Sequence, residues 1–95
     1  MPEDPALDRH YALIGRLTSR GPDSLSDVEL LTLLFGGCVP IAKAADRARE
    51  YTEELGPANT IVSLDLTELT FFEGIGEAKA AAVVAGVELG RRSIR

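Results

Sequence analysis

Apolar positions in this chain recur at the spacing of a helix. Leu7, Tyr11, Ile14 and Leu17 follow one another at steps of three and four, which predicts a first helix over about residues 6–17. Apolar and polar residues do not alternate over any long run, and Ala, Leu and Glu are abundant. The pattern therefore predicts an all-α fold.

Capping and helix-breaking residues divide the rest of the chain into short helices. Ser26 and Glu29 have the spacing of a capping box, as do Asp65 and Glu68. We expect a single domain over residues 6–95, built as a bundle of about five or six short helices after a loose N-terminus over residues 1–5. Between glycine and proline breaks, the helices after the first are predicted over about 27–35, 41–55, 66–72 and 77–92.

The two capping boxes introduce two similar stretches, residues 26–43 and 64–79. Each stretch contains a capped helix, a pair of glycines and the start of an alanine-rich helix with one lysine, Lys43 or Lys79. An internal duplication would explain the similarity, and so would a chance likeness between two helical hairpins. The sequence leaves both explanations open.

Length and composition limit the classes of function. The chain has 95 residues, one cysteine and one histidine, which excludes an internal disulfide and leaves no zinc site. No apolar run is long enough to span a bilayer, and the N-terminus has no secretory signal. We therefore expect a cytoplasmic protein with no membrane partner, no metal and no cofactor.

The net charge of −5 argues against a general binder of polyanions, because such domains usually carry a basic surface. The charge is uneven, since residues 74–95 contain four basic and two acidic side chains. Any contact with phosphate should therefore be local and should use the C-terminal quarter of the chain.

The segment Gly74-Ile75-Gly76, between two predicted helices, carries the main functional signal. Gly74 can turn the chain tightly, Ile75 can point into the core, and Gly76 lets a ligand approach the backbone. The helix that follows begins with free amide groups and a partial positive charge, which together favour an anion. Lys79 on its first turn adds a full charge beside them.

This arrangement suits one phosphate of a DNA backbone and carries no information about base sequence. The alternative is that the two glycines only serve a tight turn. The arginines near the C-terminus, Arg91, Arg92 and Arg95, would then only complement the helix dipole or lead into a linker. The predicted phosphate site consists of Gly74, Ile75, Gly76, Ala78, Lys79 and Arg91.

Leu69, Gly74-Ile75-Gly76 and Ala78-Lys79-Ala80 resemble the helix-hairpin-helix motif of DNA-repair and recombination proteins. The resemblance extends over about residues 9–93 to the N-terminal domain of the RadC family. The segments that carry it, in the family's order, are Leu25-Ser26-Asp27, Glu29-Leu30-Leu31, Gly36-Gly37, Glu68-Leu69, the glycine hairpin and Glu88-Leu89-Gly90-Arg91-Arg92.

This resemblance implies a helical bundle with a helix-hairpin-helix at about 65–92 and an association with DNA repair. It usually also implies a following metalloprotease-like domain of the JAMM type. The signature of that domain needs several histidines, and this chain has only His10, so we expect the catalytic half to be absent. One departure from the family is the apolar segment 38–41, where a polar, glycine-rich stretch is usual; it puts any function of the first hairpin in doubt.

The remaining candidates have ordinary explanations. His10 is expected on the surface or half-buried in a helix, since no nucleophile and carboxylate pair with it. Cys38 is expected to be a small buried hydrophobic residue. Phe71 and Phe72 could stack on bases, although at least one of them should belong to the core. No catalytic group can be assembled, so an enzyme is not expected.

Two functions remain. The first is a non-catalytic, weak and sequence-independent DNA-binding module. The second is a protein-interaction or domain-positioning module that binds no DNA. The net charge and the apolar segment 38–41 favour the second, and an exposed apolar patch near Cys38 would support it.

Overall fold

The computed structural model describes residues 4–94, the side chains of residues 58 and 59 excepted. These residues form five α-helices joined by turns and two short 3-10 segments, and they contain no strand, so the predicted all-α fold is confirmed. The helices are α1 (Pro5–Arg20), α2 (Asp27–Gly36), α3 (Ile41–Glu54), α4 (Leu66–Thr70) and α5 (Glu77–Ser93); the 3-10 segments are Pro22–Ser24 and Ala58–Ser63.

Side chains cap the start of α1, α2 and α4. The carboxylate of Asp4 accepts hydrogen bonds from two amides of the first turn of α1. Ser26 with Glu29, and Asp65 with Glu68, form complete capping boxes, as predicted. Local sequence therefore fixes where these three helices begin.

The first helix is longer than predicted at both ends. It begins directly after Asp4, so the loose N-terminus expected over residues 1–5 is wrong for its last two positions; residues 1–3 lie outside the described part of the chain. The helix ends at Arg20, and the next residue, Gly21, has a φ of +86°, which suits glycine.

The core lies where α2, α3, α4 and α5 meet. Its centre is a group of three aromatic rings, Phe35, Tyr51 and Phe72, with ring centroids 5.9–6.2 Å apart. Tyr51 is fully buried, and its hydroxyl lies 2.8 Å from Oγ1 of Thr60. Ile75 joins this core from the turn before α5, which fixes the position of that turn.

Helix α1 packs on α2 and α3. His10 is its one buried residue, while Leu7, Tyr11 and Ile14 are 36%, 56% and 37% exposed. The expectation that His10 is exposed or half-buried is therefore wrong. The ring fits because it lies against Gly36, which has no side chain.

Candidate nucleic-acid interface

Gly74 is a glycine because the fold needs one there. Its φ is +87°, which side chains with a Cβ rarely adopt. A Cβ at this position would also lie 3.0 Å from Cγ1 of Val39, in the turn between α2 and α3. The turn before α5 and the turn before α3 are therefore in contact, and Gly74 has a structural role.

Gly76 is different, because nothing inside the chain requires a glycine. Its backbone is extended, with φ −76° and ψ 175°, a conformation open to any residue. A Cβ built there would meet no atom of the chain within 4 Å. Gly76 is the N-cap of α5, and it leaves open space in front of the first turn.

The amide groups of that first turn are free of partners in the described part of the chain. The first hydrogen bond of α5 runs from the Ala80 amide to the Gly76 carbonyl, at 3.0 Å. No side chain caps the helix. The amides of Glu77, Ala78 and Lys79 therefore point out of the helix end without an acceptor, and Ala78 itself is exposed.

Ile75 anchors the turn and does not face the open space. Its side chain is only 3% exposed, within the core. Its amide donates to the Phe72 carbonyl at 3.1 Å, so this N–H is already used. Of the predicted site residues, Ile75 thus positions the others.

Lys79 is exposed, but its ammonium group is bonded to the turn after α2. Its Nζ donates a hydrogen bond to the Cys38 carbonyl at 2.6 Å, just beyond the C-terminal end of α2. The positive charge is favourable there because helix carbonyls accumulate partial negative charge at that end. Two of the three ammonium hydrogens remain for another acceptor. Burial raises the pKa of the Cys38 thiol, and the charge of Lys79 opposes that rise.

Two carboxylates flank the turn. Glu77 is exposed on the first turn of α5, and Glu73 has an 89% exposed side chain. Arg47 of α3 holds Glu73, since its Nε donates to the Glu73 carbonyl at 3.1 Å and its Nη2 lies 3.5 Å from Oε2. Charges of both signs therefore surround the turn, and acidic groups lie beside the unpaired amides.

Sequence reasoning did not select Lys43 or Arg47 as site residues. Both line a groove of about 210 Å³ between the two turns, together with Gly74. Lys43 is exposed on the first turn of α3 and makes no ion pair with the described residues. Its place in the repeated stretch, equivalent to that of Lys79, was the available signal.

Arg91 does not lie at the turn. It follows Gly76 by four turns of α5, so the helical rise separates them by about 22 Å along the axis. Its Nη1 lies 3.7 Å from Oε1 of Glu88, its nearest acidic neighbour on the helix. The structure therefore brings together the other predicted site residues and leaves Arg91 at the opposite end.

No helix among residues 4–94 is long and apolar enough to cross a bilayer. No group of three or more potential metal ligands occurs among the same residues.

The sequence is similar to several bacterial proteins that carry the name UPF0758 protein. The relative from Carboxydothermus hydrogenoformans is 38% identical over 77 residues, which is 81% of this chain and 34% of the relative. The one from Acinetobacter baylyi is 40% identical over 77 residues, 81% of this chain and 28% of the relative. The one from Nitrosococcus oceani is 37% identical over 79 residues, 83% of this chain and 35% of the relative.

The chain thus spans about a third of the length of these relatives. No solved structure matches it. The UPF0758 N-terminal family matches residues 14–81, a segment that runs from within α1 to the first turns of α5 and includes the whole turn at Gly74. The chain belongs to the UPF0758 N-terminal domain family.

Proposed function

We propose that this domain is a non-catalytic module that binds the DNA backbone through the first turn of α5, without regard to base sequence. The observation that carries the proposal is the open glycine at position 76. Neither backbone conformation nor packing requires it, whereas Asp4, Ser26 and Asp65 cap other helices with side chains. A phosphate oxygen in this space would accept from the free amides.

The resemblance to helix-hairpin-helix and RadC-family proteins supports this proposal. Helix α4, the Gly74-Ile75-Gly76 turn and α5 follow one another in the order of that motif. An association with DNA repair belongs to the same proposal, and so does any activity of a longer protein that contains this domain.

Charge predicts weak binding. Lys79 and Lys43 each stand on the first turn of a helix that begins without a side-chain cap, α5 and α3 respectively. Glu73 and Glu77 oppose them, and the chain as a whole is acidic. With about two phosphate contacts, counterion release gives roughly a tenfold loss of affinity between about 50 and 200 mM salt.

Fluorescence anisotropy with labelled DNA tests the proposal through Gly76→Ser. A serine at this N-cap would hydrogen-bond the first-turn amides itself and would fill the space in front of them. We expect the variant to fold at least as stably as the wild type and to lose DNA binding. Gly86→Ala is the matched control, because a Cβ at position 86 of α5 also meets nothing within 4 Å.

The proposal fails if folded Gly76→Ser binds DNA as the wild type does. It also fails if the wild type shows no binding at tens of micromolar protein in about 50 mM salt, the condition that favours phosphate contacts. The control should bind as the wild type does and should be more stable, since alanine is the better helix former.

A second candidate is a protein-interaction or domain-positioning module. It is favoured by Tyr11, which is 56% exposed on α1, beside Leu7 and Ile14, which are partly exposed. The segment at Cys38 does not supply the expected patch, because Cys38 and Val39 are 4% and 6% exposed and belong to the core. Absence of DNA binding together with capture of a partner that Tyr11→Ser abolishes would favour this candidate.

A further inference from the structure

Phe71 is an exposed aromatic ring three residues before Gly74. Its side chain is 77% exposed, whereas the neighbouring Phe72 is 4% exposed and belongs to the aromatic core. The two rings meet edge to face, with centroids 5.8 Å apart. The Phe72 ring therefore covers only part of Phe71, and most of the Phe71 side chain faces water.

The chain holds Phe71 close to the turn. Its amide donates to the Glu68 carbonyl at 3.3 Å, which places it at the end of α4 and three residues before Gly74. A hydrogen bond from the Ile75 amide to the Phe72 carbonyl closes the turn. Five residues span at most about 18 Å when extended, and the closed turn shortens that distance. A strand bound at α5 can therefore reach Phe71 within a few nucleotides.

An exposed ring beside a phosphate site matches the chemistry of unpaired bases. Each base has an apolar face that stacks on an aromatic side chain, and this stacking tolerates any sequence. In an intact duplex those faces are already stacked on neighbouring base pairs. The ring therefore adds affinity only where a base is unpaired.

We propose that Phe71 stacks on an unpaired base of the strand whose phosphate binds the first turn of α5. The preferred substrate is then single-stranded or forked DNA over intact duplex. This inference rests on the DNA-binding function proposed above and adds the class of DNA to it.

The absence of tryptophan from the chain allows a direct test. Phe71→Trp introduces a single tryptophan, whose emission falls when a base stacks on it. We expect quenching by single-stranded DNA over the same concentration range as the anisotropy change, and none by duplex. Leu89→Trp is the matched reporter, because Leu89 is 67% exposed on α5 and lies far from the turn.

Phe71→Ala tests the energetic contribution. It should weaken binding to single-stranded DNA by about tenfold and leave duplex binding unchanged. The exposed position makes loss of fold a minor concern, and circular dichroism checks it; Leu89→Ala should change neither affinity.

The outcomes distinguish failure of the stacking role from failure of the proposed DNA-binding function. If Gly76→Ser abolishes binding while Phe71→Ala leaves the preference for single strands unchanged, the stacking role is overturned and phosphate binding stands. Equal quenching of Phe71→Trp and Leu89→Trp by single strands also overturns the stacking role. If the wild type binds no DNA, the proposed function itself fails.

Discussion

The imidazole of His10 occupies the space that any side chain at position 36 would need. A Cβ on Gly36 would lie 2.6 Å from Nε2 of His10, too close for two real atoms. Helix α1 is therefore held to the end of α2 by a ring that rests on bare backbone. This contact explains both the burial of the only histidine and the presence of a glycine inside the last turn of α2.

Gly36→Ala should destabilise the protein. Alanine is intrinsically the better residue for a helix, by about 1 kcal/mol. The collision with His10 should outweigh that gain and lower the free energy of unfolding by about 1–3 kcal/mol, as for other overpacked sites. Urea denaturation followed by circular dichroism measures the difference.

The His10→Ala background shows whether the collision is the cause. With the ring removed, Gly36→Ala should cost little or should stabilise the helix, so the two substitutions should be strongly non-additive. An equal cost in both backgrounds would exclude the collision.

Lys79→Met should lower stability as well as any DNA affinity. The ammonium group donates to the Cys38 carbonyl and thus ties α5 to the turn after α2, across 41 positions of sequence. Loss of one charged hydrogen bond at a half-exposed site should cost about 1 kcal/mol. Lys79→Arg should retain part of it. Denaturation of both variants against wild type measures the effect, and an unchanged Lys79→Met would show that the bond contributes nothing.

Cys38 should resist modification in the folded protein. Its side chain is 4% exposed, and burial raises the pKa of the thiol, which keeps it protonated near neutral pH. Labelling with a thiol reagent at about pH 7.5 should be slow in buffer and fast in denaturant. Fast labelling of the native protein would place Cys38 at an accessible, reactive position.

Glu29 should make stability depend on pH in the acidic range. Its hydrogen bond from the Ser26 amide and its pairing with Arg16 lower the pKa of the carboxyl. Because this pKa is lowered on folding, the ionised Glu29 carboxylate stabilises the folded protein at pH values above the ordinary carboxyl range. This contribution is lost as the pH falls through the lowered pKa. Wild type should therefore be more stable than Glu29→Gln near neutral pH, and thermal melts should show this advantage shrinking below about pH 4.

Local signals in the sequence were sufficient for most helix boundaries. Ser26 and Asp65 carry their own capping partners three residues later, so their helices could be placed without knowledge of the fold. The burial of Ile75 could also be predicted, because a glycine on each side leaves it one apolar anchor. The contacts of Lys79 could not be predicted, since its acceptor at Cys38 is distant in sequence.

The sequence did not indicate which face of α1 packs on the bundle. The stripe of Leu7, Tyr11 and Ile14 shows that the helix is amphipathic, but a stripe does not show which surface lies opposite. The backbone of Gly36 accepts the His10 ring, which leaves Tyr11 56% exposed and Leu7 and Ile14 partly exposed. The division of roles between Phe71 and Phe72 likewise depended on packing, since adjacent residues of one type carry no distinguishing local signal.

Three contacts join the two turns and the helices that follow them, and these contacts have a consequence for motion. Val39 lies against Gly74, Lys79 holds the Cys38 carbonyl, and Arg47 holds the Glu73 carbonyl. Neither turn can leave its place without breaking contacts to the other, so both should open in one cooperative event. Their hydrogen-bonded amides, such as those of Val39 and Ile75, should then exchange with the same opening free energy.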